Sequence, residues 1–141
     1  MSRIFWDSML AIYLLEDHPM FAPRVQELLE RSFRRKDELF TSCLALGEIL
    51  AGAAKSADPA KTLAVEETLD EMGFRYLAFD KGAVVPFSRL RAVERLKVAD
   101  SIHLACAASA GIDLFLTGDK QLVRLDVPGI QFIADFTTPI L

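Results

Sequence analysis

The segment from Leu96 to Leu122 places the tightest constraint on the fold, because it reads as a helix, a tight turn and a strand with acidic residues at both ends. Small and apolar residues recur at helical spacing in ADSIHLACAASAG, and Gly111 is typical of a residue that ends a helix. The apolar run IDLFLT then predicts a strand, which TGD ends. If the helix packs on this strand, Asp100 and Asp119 lie at the same end of a sheet, and paired carboxylates there indicate a cation site.

The rest of the chain alternates between predicted strands and predicted helices. The further strands are expected at Arg3–Trp6, Leu39–Cys43, Phe74–Phe79 and Ile130–Ile133. Helical patterns lie between them, including one over residues 83–97. Parallel neighbouring strands need helical crossovers, so this order predicts an α/β fold, a three-layer sandwich with a central, mostly parallel β-sheet. At 141 residues, we expect a single domain over residues 1–141.

Composition narrows the class of protein. Acidic residues outnumber basic ones by 20 to 16, which argues against a cationic surface that would coat nucleic acid unaided. Cys43 and Cys106 lie in apolar patterns without metal-ligand spacing, so both are expected to be reduced core residues of an intracellular protein. The run MLAIYLL is short and flanked by Asp7 and Glu16, which fits neither a signal peptide nor a membrane span. We therefore expect a cytoplasmic protein with no membrane association.

Four acidic residues are expected at the carboxyl edge of the sheet. Asp7 and Asp119 each follow a predicted strand, and Glu48 and Asp100 lie near the beginnings of predicted helices. Ligands of parallel sheets bind at this edge, where the strand order reverses. Each acid alone has a structural explanation, as a helix cap, a surface charge, a dipole partner or a turn residue. Convergence of all four predicts a Mg²⁺ or Mn²⁺ site, because hard oxygen ligands without Cys or His clustering disfavour Zn²⁺.

The same residues resemble a known family. The series of a strand followed by Asp7-Ser8, a helical Glu48, ADSIHLACA with Asp100 and LTGD with Asp119 resembles the PIN domain, and in so short a chain the VapC-type toxins of toxin–antitoxin pairs. The resemblance implies a parallel sheet whose first strand is central and lies beside the fourth. It implies that the four acids bind Mg²⁺ or Mn²⁺ for the cleavage of RNA phosphodiesters. It also implies a cognate antitoxin protein and a homodimer as partners.

Two positions depart from the pattern of the family. Ser8 stands where Thr commonly follows the first Asp, and both side chains carry a hydroxyl group. The last motif often reads Thr-Asn-Asp, whereas this chain has Thr117-Gly118-Asp119 and so lacks an amide beside the carboxylate. Ser8 and Thr117 are predicted to support the metal-binding carboxylates through hydrogen bonds.

An acidic pocket does not attract RNA by itself, so flanking cations are needed to hold the phosphates. His103 lies on nearly the same helix face as Asp100 and is either a histidine at the edge of the core, the commoner case, or a metal or phosphate contact. The dense basic run near residues 34–36 also has a purely structural explanation, as the solvated end of a helix. The candidate cations for substrate binding are Lys120, Arg124, Arg34, Arg35, Arg91 and Lys97.

Two other interpretations remain open at this point. A receiver-like signalling module also uses a doubly wound sheet, an acidic edge and Mg²⁺, with Asp80 as its phosphorylated residue and Lys120 near it. Receivers usually carry two acids after the first strand, however, and Asp7 has none beside it. A catalytically silent relative that binds only RNA or protein is the other interpretation, and metal-dependent turnover separates it from a nuclease.

Overall fold

A computed structural model describes residues 1–141 and contains one sheet of five strands, all parallel. The strands are β1 (Arg3–Trp6), β2 (Glu38–Ser42), β3 (Arg75–Leu77), β4 (Ile112–Thr117) and β5 (Ile130–Asp135). Their order in the sheet is β3-β2-β1-β4-β5, so β1 is central and lies beside β4, as predicted. The chain builds outward from β1 to β3 and then returns to the other side of β1. The strand order therefore reverses between β1 and β4, where parallel sheets bind ligands.

Helices cover both faces of this sheet. They are α1 (Ser8–Leu15), α2 (Ala22–Arg35), α3 (Cys43–Ala54), α4 (Pro59–Glu71), α5 (Val84–Ala92), α6 (Val98–Ala110) and α7 (Lys120–Val123), with a 3₁₀ turn at Lys81–Ala83. This arrangement confirms the predicted three-layer α/β sandwich. None of the helices has the length and apolarity needed to cross a lipid bilayer.

The central strand shows how the two cores form. Ile4 and Trp6 point to one face and pack with α1 to α4, for example with Leu28. Phe5 points to the other face and packs with α6, for example with Leu104. Side chains alternate along a strand, so a central strand buried on both faces has no polar side. This explains why Ile4, Phe5 and Trp6 are all apolar. The first polar residue after them, Asp7, lies at the carboxyl end of the strand.

Two local predictions were wrong. The helix predicted over residues 83–97 ends at Ala92, and Arg95 adopts a left-handed backbone conformation with φ of 56°. The guanidinium of Arg91 instead donates to the carbonyl oxygen of Leu96 at 2.7 Å and closes this turn before α6. Cys43 does not end β2 in the core but begins α3 and is exposed, whereas Cys106 is buried as predicted, and both thiols are free.

Candidate metal centre

Asp7 is held at the point where β1 and β4 separate. It follows β1 directly, and its backbone amide continues the sheet by donating to the carbonyl oxygen of Leu116 at 2.9 Å. Its carboxylate is nearly buried, with Oδ1 accepting from the amide of Ser8 at 2.8 Å and Oδ2 accepting from the hydroxyl of Thr117 at 2.9 Å. Ser8 thus supports Asp7 through its backbone amide, at the first turn of α1. These bonds orient the carboxylate.

Thr117 connects the first acid to the last. Its fully buried hydroxyl donates to Asp7 and also accepts from the backbone amide of Asp119 at 3.1 Å. The Asp119 carboxylate in turn caps α7 by accepting from the amide of Gln121 at 2.9 Å. Between them, a Cβ on Gly118 would lie 3.2 Å from the ring of Phe136. The absence of a side chain at this position therefore fits the aromatic ring that packs against the loop.

Asp100 completes a group of three carboxylates. It lies in the first turn of α6 and is half-buried. Burial raises the pKa of the Asp100 carboxyl most, the negative charges of Asp7 and Asp119 raise it further, and His103 and Lys97 lower it. Asp7 and Asp119 are therefore close enough to Asp100 to repel its ionised carboxylate. A cation between them would relieve that repulsion.

Glu48, on α3, is linked through a buried partner to α6, the helix that carries Asp100. Its Oε1 lies 2.8 Å from Nε2 of His103, and Nδ1 of the same ring lies 2.7 Å from the hydroxyl oxygen of Ser42. Sequence reasoning missed Ser42, although its position at the carboxyl end of β2 was the available signal. His103 is only 2% exposed and both ring nitrogens have protein partners, so the structure has the commoner of the two alternatives, a histidine at the edge of the core, and does not present this ring to a phosphate.

The structure separates the six predicted substrate-binding cations into four that lie near the start of α6 or at α7 and two at the end of α2. Lys97 precedes α6 and acts electrostatically on Asp100, and Lys120 follows Asp119 directly. Arg124 is exposed at the end of α7, and Arg91 holds the turn before α6.

Arg34 and Arg35 lie at the opposite edge of the sheet, so the structure does not bring these two predicted substrate-binding residues to the acids. Arg35 pairs at 2.9 Å with Asp37, which precedes β2 and also accepts from the amide of Ser2 at 2.7 Å, before β1. Because α2 runs back along the sheet, its last turn reaches the amino ends of the strands. The acids lie at the carboxyl ends.

The donor set fits a hydrated hard cation. As they lie in the structure, no three His, Cys, Asp or Glu side chains converge closely enough to hold a metal ion. Mg²⁺ does not need three protein ligands, because it usually keeps several waters and binds through one or two carboxylates. Asp7, Asp100 and Asp119 supply oxygen ligands only, and neither free cysteine belongs to the group. These residues fit Mg²⁺ or Mn²⁺ better than Zn²⁺, which prefers a closed set of nitrogen and sulfur ligands.

The receiver-like alternative is wrong. Asp80 follows β3, which is an edge strand separated from β1 by β2. Its carboxylate accepts from the amide of Gly82 at 3.0 Å and caps the 3₁₀ turn there. Receiver domains have the order 2-1-3-4-5, which brings the third strand next to the first. In this chain Asp80 lies away from the strand reversal that carries the acids.

Comparison with solved structures finds the same fold in several complexes. VapBC2 from Rickettsia felis, bound to a DNA fragment from its promoter, is 15% identical with a TM-score of 0.74, over 94% of this chain and 97% of that one. A toxin–antitoxin complex from Klebsiella pneumoniae is 20% identical with a TM-score of 0.68, over 92% and 95%. FitAcB from Neisseria gonorrhoeae is 20% identical with a TM-score of 0.65, over 84% and 88%. At these identities the likeness concerns the fold.

The sequence itself establishes the family. No curated protein matches this chain. Residues 4–128, however, match the PIN domain family, a span that contains all of β1 but its first residue, β2 to β4, every helix, and Asp7, Glu48, Asp100 and Asp119. The chain therefore belongs to the PIN domain family.

Proposed function

We propose that this protein is an endoribonuclease that uses Mg²⁺ or Mn²⁺ to cleave RNA phosphodiester bonds, and that it is the VapC-type toxin of a toxin–antitoxin pair. One observation carries the proposal. Asp7 and Asp119 follow the two strands between which the strand order reverses, and both lie close enough to Asp100 to raise its pKa. Such a group is poorly stable without a cation and well suited to holding one beside a phosphate.

Each acid has a distinct part in the proposed reaction. Asp7, Asp100 and Asp119 would hold the ion directly, and Glu48 would hold it directly or through a water. When bound there, the ion would lower the pKa of a water and polarise the phosphoryl oxygen. The hydroxyl of Thr117 keeps Asp7 and the Asp119 loop in register while substrate binds. No side-chain nucleophile is required.

RNA binding must overcome the excess of acid in the chain, which has a formal net charge of −4. Exposed cations surround the acids, with Lys97 before α6 and Lys120 and Arg124 on α7. We assign phosphate contacts to these three side chains, since positive charge beside the pocket offsets repulsion between the carboxylates and the RNA backbone. Arg91 is placed to support the turn that carries Lys97.

The proposed partner is a small antitoxin protein. A groove of about 470 Å³ runs between α1, α3 and α4, and its apolar walls include Ile12, Leu15 and Val65. Glu16, Glu48 and Lys61 also line it and leave an excess of negative charge, so an amphipathic segment with a basic side chain would match both its walls and its charge. The similar structures described as toxin–antitoxin complexes support this choice of partner.

We further propose a homodimer that acts in the cytoplasm, where its RNA substrates are found.

Cleavage of a pool of cellular RNAs, with transfer RNA included, tests the enzymatic proposal. Purified protein is incubated with Mn²⁺ or Mg²⁺, with an EDTA control, and compared with Asp100→Asn and with Asp126→Asn. Asp126 is exposed and lies in the loop between α7 and the amino end of β5, away from the carboxyl edge that carries the acids, so its substitution removes the same charge without touching the site. We expect cleavage that needs metal, is lost in Asp100→Asn and persists in Asp126→Asn. Metal binding without cleavage of any RNA would instead identify a catalytically silent binding relative.

A further inference from the structure

A series of hydrogen bonds through the buried side chains of Ser42 and His103 orients Glu48. Metal binding by the acids does not account for this series. His103 lies between Ser42 and Glu48, bonded to both, and its side chain is 3% exposed. Ser42 is completely buried, and the ring of Phe5 packs beside the imidazole with 6.4 Å between centroids. These neighbours leave the imidazole little freedom to turn. The Glu48 side chain is 38% exposed, and His103 is its one hydrogen-bonding side-chain partner.

The hydrogen-bond directions along this chain follow from its chemistry. The backbone amide of Ala45 donates to the Ser42 oxygen at 2.9 Å, which leaves the hydroxyl proton free for Nδ1 of His103. An ionised carboxylate only accepts, so Nε2 of the same ring carries the proton that is donated to Glu48. The order of donation therefore runs from Ser42 through His103 to Glu48. Each bond fixes the orientation of the next group.

We propose that Ser42 and His103 are positioning residues that hold the Glu48 carboxylate toward the three aspartates. The inference rests on the proposed function for the identity of that site. The aspartates have other means of orientation, since Asp7 and Asp119 are bonded to backbone amides and share Thr117. Glu48 has a longer side chain with more rotamers to lose, and without His103 nothing would select the one that faces the site.

Two substitutions at the same position separate the bond to Glu48 from mere packing. In His103→Gln, the amide nitrogen can take the place of Nε2 and donate to Glu48. In His103→Asn, the shorter side chain matches Nδ1 and leaves Glu48 without a donor. Both variants are polar and uncharged, so a general cost of altering this buried site affects both. His18→Asn, at the other histidine of the chain, is the control, because that side chain contacts Tyr13 and Phe21 in the turn after α1.

The primary measurement is Mn²⁺ affinity by titration calorimetry, with RNA cleavage as the second readout. We expect His103→Asn to weaken Mn²⁺ binding by about tenfold or more, the size typical of a lost partner of a metal ligand. His103→Gln should recover most of this loss, and His18→Asn should bind as the wild type does. In a Glu48→Gln background, His103→Asn should add no further loss, because the effect passes through Glu48.

Three results would overturn the inference. They are equal losses in His103→Asn and His103→Gln, a loss in His103→Asn that persists in the Glu48→Gln background, and wild-type affinity in His103→Asn. A misfolded His103→Asn variant would lose Mn²⁺ affinity in the Glu48→Gln background as well, which is the second of these results. Failure to fold is therefore not mistaken for support. If the coupling between His103 and Glu48 is found but wild-type protein cleaves no RNA, the positioning role stands and the proposed ribonuclease activity fails.

Discussion

Replacement of Thr117 by Val tests the hydroxyl that joins the two ends of the metal centre. The substitution keeps the branched shape of a fully buried side chain and removes only the oxygen. That oxygen donates to the Asp7 carboxylate at 2.9 Å and accepts from the Asp119 amide at 3.1 Å. Thr41→Val is a matched control, because Thr41 is a buried threonine on the neighbouring strand β2 whose hydroxyl donates at 2.8 Å to a neutral carbonyl, that of Trp6.

The difference between the two variants can be estimated from the acceptor charge. A hydrogen bond to a charged group contributes about 1.5–3 kcal/mol, against about 1 kcal/mol for a neutral pair. Loss of the second bond, to the half-buried amide of Asp119, adds less because water can reach it. We therefore expect Thr117→Val to lower the free energy of unfolding by about 2–3 kcal/mol and Thr41→Val to lower it by about 1 kcal/mol.

Urea unfolding of the metal-free protein measures both values, provided that the slope of free energy against urea is unchanged. The double variant Asp7→Asn/Thr117→Val adds a check. Once the acceptor is neutral, loss of the Thr117 hydroxyl should cost less than it does beside the charged Asp7, and should approach the cost of Thr41→Val plus the smaller cost of the bond from the Asp119 amide. Equal costs for the two single valine variants would refute the reasoning, since the charge of Asp7 would then contribute nothing through Thr117.

Three further predictions follow from burial and charge. Asp100→Asn should raise the unfolding midpoint of the metal-free protein by about 2–4 °C at neutral pH, because it removes like-charge repulsion; the gain should shrink as acid protonates wild-type Asp100, whose pKa is raised. A thiol reagent at pH 8 should label Cys43 quickly and Cys106 only on unfolding, since burial raises the pKa of Cys106 to about 11, and Cys43→Ser should abolish the fast phase. Gly129→Ala should lower the free energy of unfolding, measured by thermal denaturation, by about 3 kcal/mol or more, because φ is +99° and a Cβ would lie 2.4 Å from a carbonyl oxygen. Gly47→Ala, with open space in a helix, should raise the same free energy by about 0.5–1 kcal/mol.

The parts of this fold that could be predicted depend on short-range patterns. The apolar runs that end at Asp7 and Asp119 identify β1 and β4, and Gly111 identifies the end of α6. Parallel pairing then brings the carboxyl ends of both strands to one edge, whatever the lengths of the connections. The placement of Asp7 and Asp119 follows from this geometry alone.

Other features depend on tertiary packing that no local pattern contains. The bond between His103 and Glu48 joins residues 55 positions apart and requires the docking of α3 against α6. The position of Arg34 and Arg35 depends on the direction in which α2 crosses the sheet, which the helical pattern does not encode. Exposure of Cys43 depends on a shift of the β2–α3 boundary by one residue, and boundaries are the least certain part of such reasoning.

Calorimetric titration of Mn²⁺ into wild-type protein, Asp100→Asn and Asp126→Asn is the most direct test of the central claim, that Asp7, Asp100 and Asp119 together hold a divalent cation. The account predicts that Asp126→Asn binds as tightly as wild type and that Asp100→Asn loses most of the affinity, because a ligand oxygen and a charge are removed from the site. Equal Mn²⁺ affinity in all three proteins would contradict it.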